Sequence, residues 1–188
     1  MIRTMLLLAP WLFLGSLSAS AAPVSHVDYE PRETTEITRF STGAGGPLRL
    51  PTEHLKKMTI IGGKGLSFLY PNQAHFYVET VTAEQSGYPD ADMRQWPVYV
   101  FGLKDGTESS NAFIRDLLKT KRFGVDKQIN PDVVRVFSTS TGKGFWAFGE
   151  EKSLIVLTEE DNRSSITLIN VTGLPEQTIE DMIIKGVI

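Results

Sequence analysis

Residues 133–171 read VVRVFSTSTGKGFWAFGEEKSLIVLTEEDNRSSITLINV, and this stretch decides the fold. Three short polar segments, Thr141-Gly142-Lys143-Gly144, Gly149-Glu150-Glu151-Lys152 and Glu159-Glu160-Asp161-Asn162, divide it into four apolar runs. The runs are rich in Val, Ile, Phe and Thr, which suit a pleated, half-buried surface, and the breaks are short enough to be hairpin turns. The expectation is an antiparallel meander. In the second run Phe145, Trp146, Ala147 and Phe148 follow one another, so both faces of that strand are apolar. Core filling accounts for this. An exposed Trp146 would instead be a binding anchor.

Outward from the meander, the same signals recur at residues 58–61, 66–70 and 75–81, separated by Gly62-Gly63-Lys64-Gly65 and Pro71-Asn72-Gln73. These predict three more strands. Residues 83–95 are polar and contain Ser86-Gly87-Tyr88-Pro89-Asp90, a loop signal; 96–103 then read as a further strand opened by Pro97. Residues 109–123 predict a helix, with Ser109 or Ser110 as cap, Phe113, Ile114, Leu117 and Leu118 on one side, and Gly124 as stop. A second helix follows Pro175, with Ile179, Met182 and Ile183 as its buried stripe and Gly186 at its end. Strand runs interrupted by single helices predict an α+β fold, mainly an antiparallel sheet with two helices packed on one face. Both halves carry Gly-Lys-Gly, at 63–65 and 142–144, followed by strands and a helix, which admits a degenerate internal duplication.

At 188 residues the chain has the length of one domain. Arg3, an apolar core over residues 5–17 and Ala19-Ser20-Ala21 form a signal-peptide pattern with cleavage after Ala21; the core is broken by Pro10 and Gly15 and is too short to span a bilayer. Residues 22–56, with prolines at 23, 31, 47 and 51 and Gly43-Ala44-Gly45-Gly46, read as a flexible lead-in, and 57–188 as the single domain. The chain has no cysteine, which excludes disulfides, thiolate metal sites and a cysteine nucleophile. Export without disulfides points to the bacterial periplasm or secretion. With 19 Lys+Arg against 22 Asp+Glu, the net charge of −3 gives no general attraction to nucleic acid.

No motif fixes a reaction. Gly62-Gly63-Lys64-Gly65 lacks the first glycine and the hydroxyl residue of a phosphate loop, since Met58 and Gly65 stand there. Ser140 and Lys143 have Ser-x-x-Lys spacing, but Gly142 and Gly144 mark a turn rather than the helix that chemistry needs. No cofactor or metal is implied. A hydrolase or small-ligand site would have to be assembled from distant residues such as His54, His75 and Asp90 or Asp92. The leading expectation is a non-enzymatic domain that binds another exported or envelope protein, as an accessory factor or an inhibitor of the immunity type. A subunit of an envelope assembly is the structural alternative. The candidate surface comprises Tyr88, Asp90, Asp92 and Trp96 from the polar loop, Lys143 and Trp146 from the second run and its turn, and the acidic tip Glu159, Glu160 and Asp161.

The segment Gly65-Leu66-Ser67-Phe68-Leu69-Tyr70-Pro71, followed by an antiparallel sheet, a helix over 109–123 and a final strand and helix, loosely resembles the PsbP/DcrB-like group of exported α+β domains. The resemblance rests on element order and on Phe-x-Tyr-Pro. It implies an accessory or binding role and supplies no catalytic residues.

Overall fold

The structure, a computed structural model, describes residues 22–31, 36–41 and 47–188. The expected leader over 1–21 lies outside the described residues.

The meander forms as four strands, β7 (Val133–Ser138), β8 (Gly142–Phe148), β9 (Lys152–Glu159) and β10 (Ser165–Thr172), each antiparallel to the next. The three strands expected earlier are β4 (Thr59–Gly62), β5 (Leu66–Leu69) and β6 (His75–Thr82), again antiparallel. β6 pairs with β10 from Ser165↔Thr82 to Thr172↔His75, which fuses the two meanders. A short strand β1 (Val24–His26) adds in parallel to β7, so the sheet runs β1-β7-β8-β9-β10-β6-β5-β4.

The α+β class stands, but the helices take both faces. α2 (Gln95–Val100) and α3 (Ala112–Thr120) cover one face, burying Tyr99, Val100, Phe113 and Leu117 against Val134, Val136, Phe145, Ala147, Leu154 and Val156. On the other face the C-terminal helical segment, α4 (Glu176–Ile179) continued by a π-helical turn over Glu180–Ile184, buries Ile179, Met182, Ile183 and Ile184 against Trp146, Ile155, Ile169 and Val171. The reason is local. β8 and β9 are apolar on both sides, so neither face can be left to water, and one helix is needed on each. The two halves also differ in build: residues 96–103, which the Gly-Lys-Gly correspondence matches to β10, do not form a strand, and the helices that follow sit on opposite faces.

Residues 96–103 are the second correction. Residues up to Val100 belong to α2 and 101–103 are turn, so no strand forms, although Val and aromatic residues fill the stretch. Pro97 sits in the first turn of α2, where its missing N–H costs nothing, and Pro97, Tyr99 and Val100 are all buried. Packing has overridden β propensity here. α3 is capped by Asn111, whose Oδ1 accepts from Phe113 N at 2.9 Å, rather than by either serine. It does not stop at Gly124 but widens into a π-helical segment, Lys121–Ile129, because Val125 is buried and rewards continuation. Asn130 ends it at φ 49°, the left-handed conformation that asparagine tolerates.

Residues 22–56 do more than lead in. β2 (Ile37–Ser41) and β3 (Pro47–Pro51) form a two-stranded hairpin, and α1 (Thr52–Leu55) follows directly. Leu48 and Leu50 enter the core beside Met182, Ile183 and Ile184. The described part of this stretch is thus packed structure. No helix among the described residues is long and apolar enough to cross a membrane.

Candidate binding cleft

Hairpin tips and loop ends meet at one end of the sheet. Residues 83–94 lie along the β9–β10 turn, held by Ala83 N donating to Ser164 O at 2.7 Å and Met93 N to Arg163 O at 2.7 Å. Arg94 completes the join. Its Nε and Nη2 donate to the two carboxylate oxygens of Asp92 at 2.9 and 2.7 Å, while Nη1 reaches Glu160 O at 2.7 Å. A fork of this shape fixes both the side chain and the turn it reaches.

The join borders a cleft of about 380 Å³. Its floor is apolar: Val98 from α2, Leu103 just after it, Val136 from β7 and Phe145 from β8. Its lining also carries charges of both signs, Arg94 and Lys143 with Glu159 and Glu160, beside His26. Gly142 sits where β8 comes so close to β9 that a Cβ would lie 2.1 Å from Thr158 O, so the turn that presents Lys143 requires glycine. The arrangement can hold an apolar side chain on the floor while ion pairing with charged groups on either side of it.

The sequence-derived candidates divide among five places. Lys143, Glu159 and Glu160 share the cleft, and Asp92 acts on it through Arg94. Tyr88 and Asp90, with Asp92, line a separate recess of about 470 Å³. Tyr88 is tied to α3 by its hydroxyl, which donates to Asp116 Oδ2 at 2.5 Å. Lys119 first and Tyr88 second hold the Asp116 carboxyl below the usual range, and the same bond raises the Tyr88 phenol. Asp161 is exposed on the β9–β10 turn but does not line the cleft.

Trp96 lies half-buried against the core, edge-on to Phe101 at 6.3 Å, and faces a different groove beneath the π-helical segment. Trp146 is 0% exposed and sits under the Arg135 guanidinium at 4.9 Å, with Arg135 also paired to Glu176. It is core and cannot be a surface anchor. His26, Arg94, Val98 and Leu103 were not singled out from sequence. Only Asp92-x-Arg94 carried a signal, two opposite charges close enough for a local fork.

Among the described residues no hydrogen bond or ion pair joins His54 or His75 to Asp90 or Asp92. His54 faces Glu53 at 3.9 Å, and His75 Nδ1 lies 3.1 Å from Gln73 O. Among the described residues no group of three or more histidines and carboxylates is placed to hold a metal ion.

The electrostatics of the join carry a pH dependence. Hydrogen bonding from Arg94 holds the Asp92 carboxyl below its ordinary value, against a smaller opposing effect of burial. A group depressed by folding contributes stability that is full above the unfolded carboxylate value and is lost as pH falls through the lower folded value. Asp92→Asn is therefore expected to flatten the acid side of the stability profile. Urea midpoints measured between about pH 6 and pH 2 check it; a wild-type acid slope in the variant counts against the Arg94 join.

Comparison with family models, curated proteins and solved structures finds no match to this chain.

Proposed function

We propose that the chain is an exported, non-enzymatic domain that binds a segment of another exported or envelope protein in the cleft ringed by Arg94, Lys143, Glu159 and Glu160. The observation that carries this reading is the convergence of three separated tips on one cleft lined by apolar residues and by charges of both signs. An extended segment with an apolar residue between charged ones would place its side chain over Val136 and Phe145 and its charges on the rim. Such chemistry fits an accessory factor or an inhibitor that neutralises a partner by occupying it. The resemblance to PsbP/DcrB-like domains agrees with a binding role by analogy alone. Export rests on Arg3, the apolar core and Ala19-Ser20-Ala21, together with the absence of cysteine.

A photo-reactive side chain placed at Lys143 in the full chain, in living cells, tests the binding. The expected result is a discrete adduct with one exported protein, weakened by Arg94→Glu and not formed from Arg39, which is exposed on β2. No adduct from position 143, or the same adduct from both positions, overturns the reading. Intact mass of the cellular protein tests export separately. A mature chain beginning at Ala22 is expected, and one that retains Met1 contradicts it.

A further inference from the structure

The two edges of the eight-stranded sheet differ in kind. β1 is three residues long and pairs in parallel, a short edge that offers little template. β4, the opposite edge, pairs among the described residues only with β5, and all four of its residues are exposed. It contains no proline and no charged side chain. Ile60 and Ile61, 40% and 53% exposed, point to its two faces. An edge strand leaves alternate N–H and C=O groups unpaired along its outer side, and two bare isoleucines are the apolar half of a strand-addition site.

Charge selects what fits there. Lys56 and Lys57 stand just before β4 and Lys64 just after it, all exposed and with no ion pair among the described residues. The nearest preceding carboxylate, Glu53, faces His54. These cations stand out on a chain of net charge −3. They also argue against a second copy. In an antiparallel pair centred between Ile60 and Ile61, Lys57 of one copy lies opposite Lys64 of the other at both ends, and like charges directly opposite are destabilising.

We infer that β4 is a strand-addition site for an extended segment of another protein that carries acidic side chains at both of its ends. The added strand extends the sheet beyond β4, lays consecutive β-branched residues, one on each face, beside Ile60 and Ile61, and sets its carboxylates against Lys57 and Lys64. This surface is separate from the charged cleft and stands whether or not the cleft is occupied.

The probe is a fluorescent peptide, EEVTVTEE, titrated into the purified full chain at low salt, with KKVTVTKK and a peptide with central proline as controls. Anisotropy gives affinity, and amide chemical shifts give the place. The acidic peptide is expected to bind with shifts centred on Thr59, Ile60, Ile61 and Gly62, and the basic one about tenfold more weakly. The double variant Lys57→Glu, Lys64→Glu is expected to reverse that preference with the urea midpoint unchanged. Ile60→Pro, which removes an outward N–H of β4 and leaves the Ile61–Ser67 and Gly63–Gly65 pairs with β5 in place, is expected to abolish binding of either peptide. Equal binding of acidic and basic peptides, shifts centred on the cleft, or no binding at millimolar peptide overturns the inference. Dimerisation through β4 in place of peptide binding also overturns it.

Discussion

Trp146→Ala is expected to cost about 3–5 kcal/mol of folding stability. The side chain is 0% exposed on an interior strand, paired across to Arg135 on β7 and Ile155 on β9. Phe148 meets its ring edge-on at 5.6 Å, and the C-terminal helical segment closes over it. Truncation leaves a cavity that strands in register on both sides cannot collapse to fill. It also strips the Arg135 guanidinium of the ring beneath it. Trp146→Phe keeps most of the volume and removes an indole N–H that has no acceptor among the described residues, so it costs much less. Urea unfolding followed by far-ultraviolet dichroism measures both. A Trp146→Ala protein within about 0.5 kcal/mol of wild type would mean the residue is not core.

Leu50→Ala is the second large effect, expected at about 2–5 kcal/mol. Leu50 is 0% exposed, although it lies in a stretch whose prolines and glycines read as a spacer. β3, which carries it, is wedged between α1 and the C-terminal helical segment, and Gly186 approaches so closely that a Cβ there would lie 2.2 Å from Arg49 O. The hairpin therefore covers part of one face of the core. A spacer would tolerate the substitution with almost no change. The same urea series decides between them, and Arg39→Ala on the outer side of the hairpin serves as the neutral comparison.

Those two residues mark how far the fold was legible in the sequence. Residues 133–171 declared the meander because period-two alternation and charged turns act locally, and Phe145-Trp146-Ala147-Phe148 declared a strand covered on both sides. The stripe Ile179, Met182, Ile183 declared its helix for the same reason. What escaped depends on contacts between distant segments. Leu48 and Leu50 are only two apolar residues between prolines, too few for a period to show. β1 is three residues, and its parallel partner lies more than a hundred positions away. Residues 95–100 are strand-like in composition, yet form a helix in which Pro97, Tyr99 and Val100 are all buried.

The cleft was half legible. Turn chemistry places Lys143, Glu159 and Glu160 at the surface, and their hairpins put them at the same end of the sheet. Nothing local says that Arg94 crosses to Glu160, or that Val98 and Leu103 supply a floor, since both follow from α2 packing on the sheet. Trp146 was the ambiguous member, and the register settles it, because its face of β8 is the one the C-terminal helical segment covers. Asp161 and Asp90 show the reverse. Exposure on a turn made them candidates, but neither reaches the cleft.

Hydrogen–deuterium exchange on the full chain, with and without the protein cross-linked at position 143, tests the central claim most directly. The account predicts slowed exchange in residues 94–103, 142–145 and 158–161, the segments that build the cleft. Slowed exchange elsewhere with none in those three segments would contradict it.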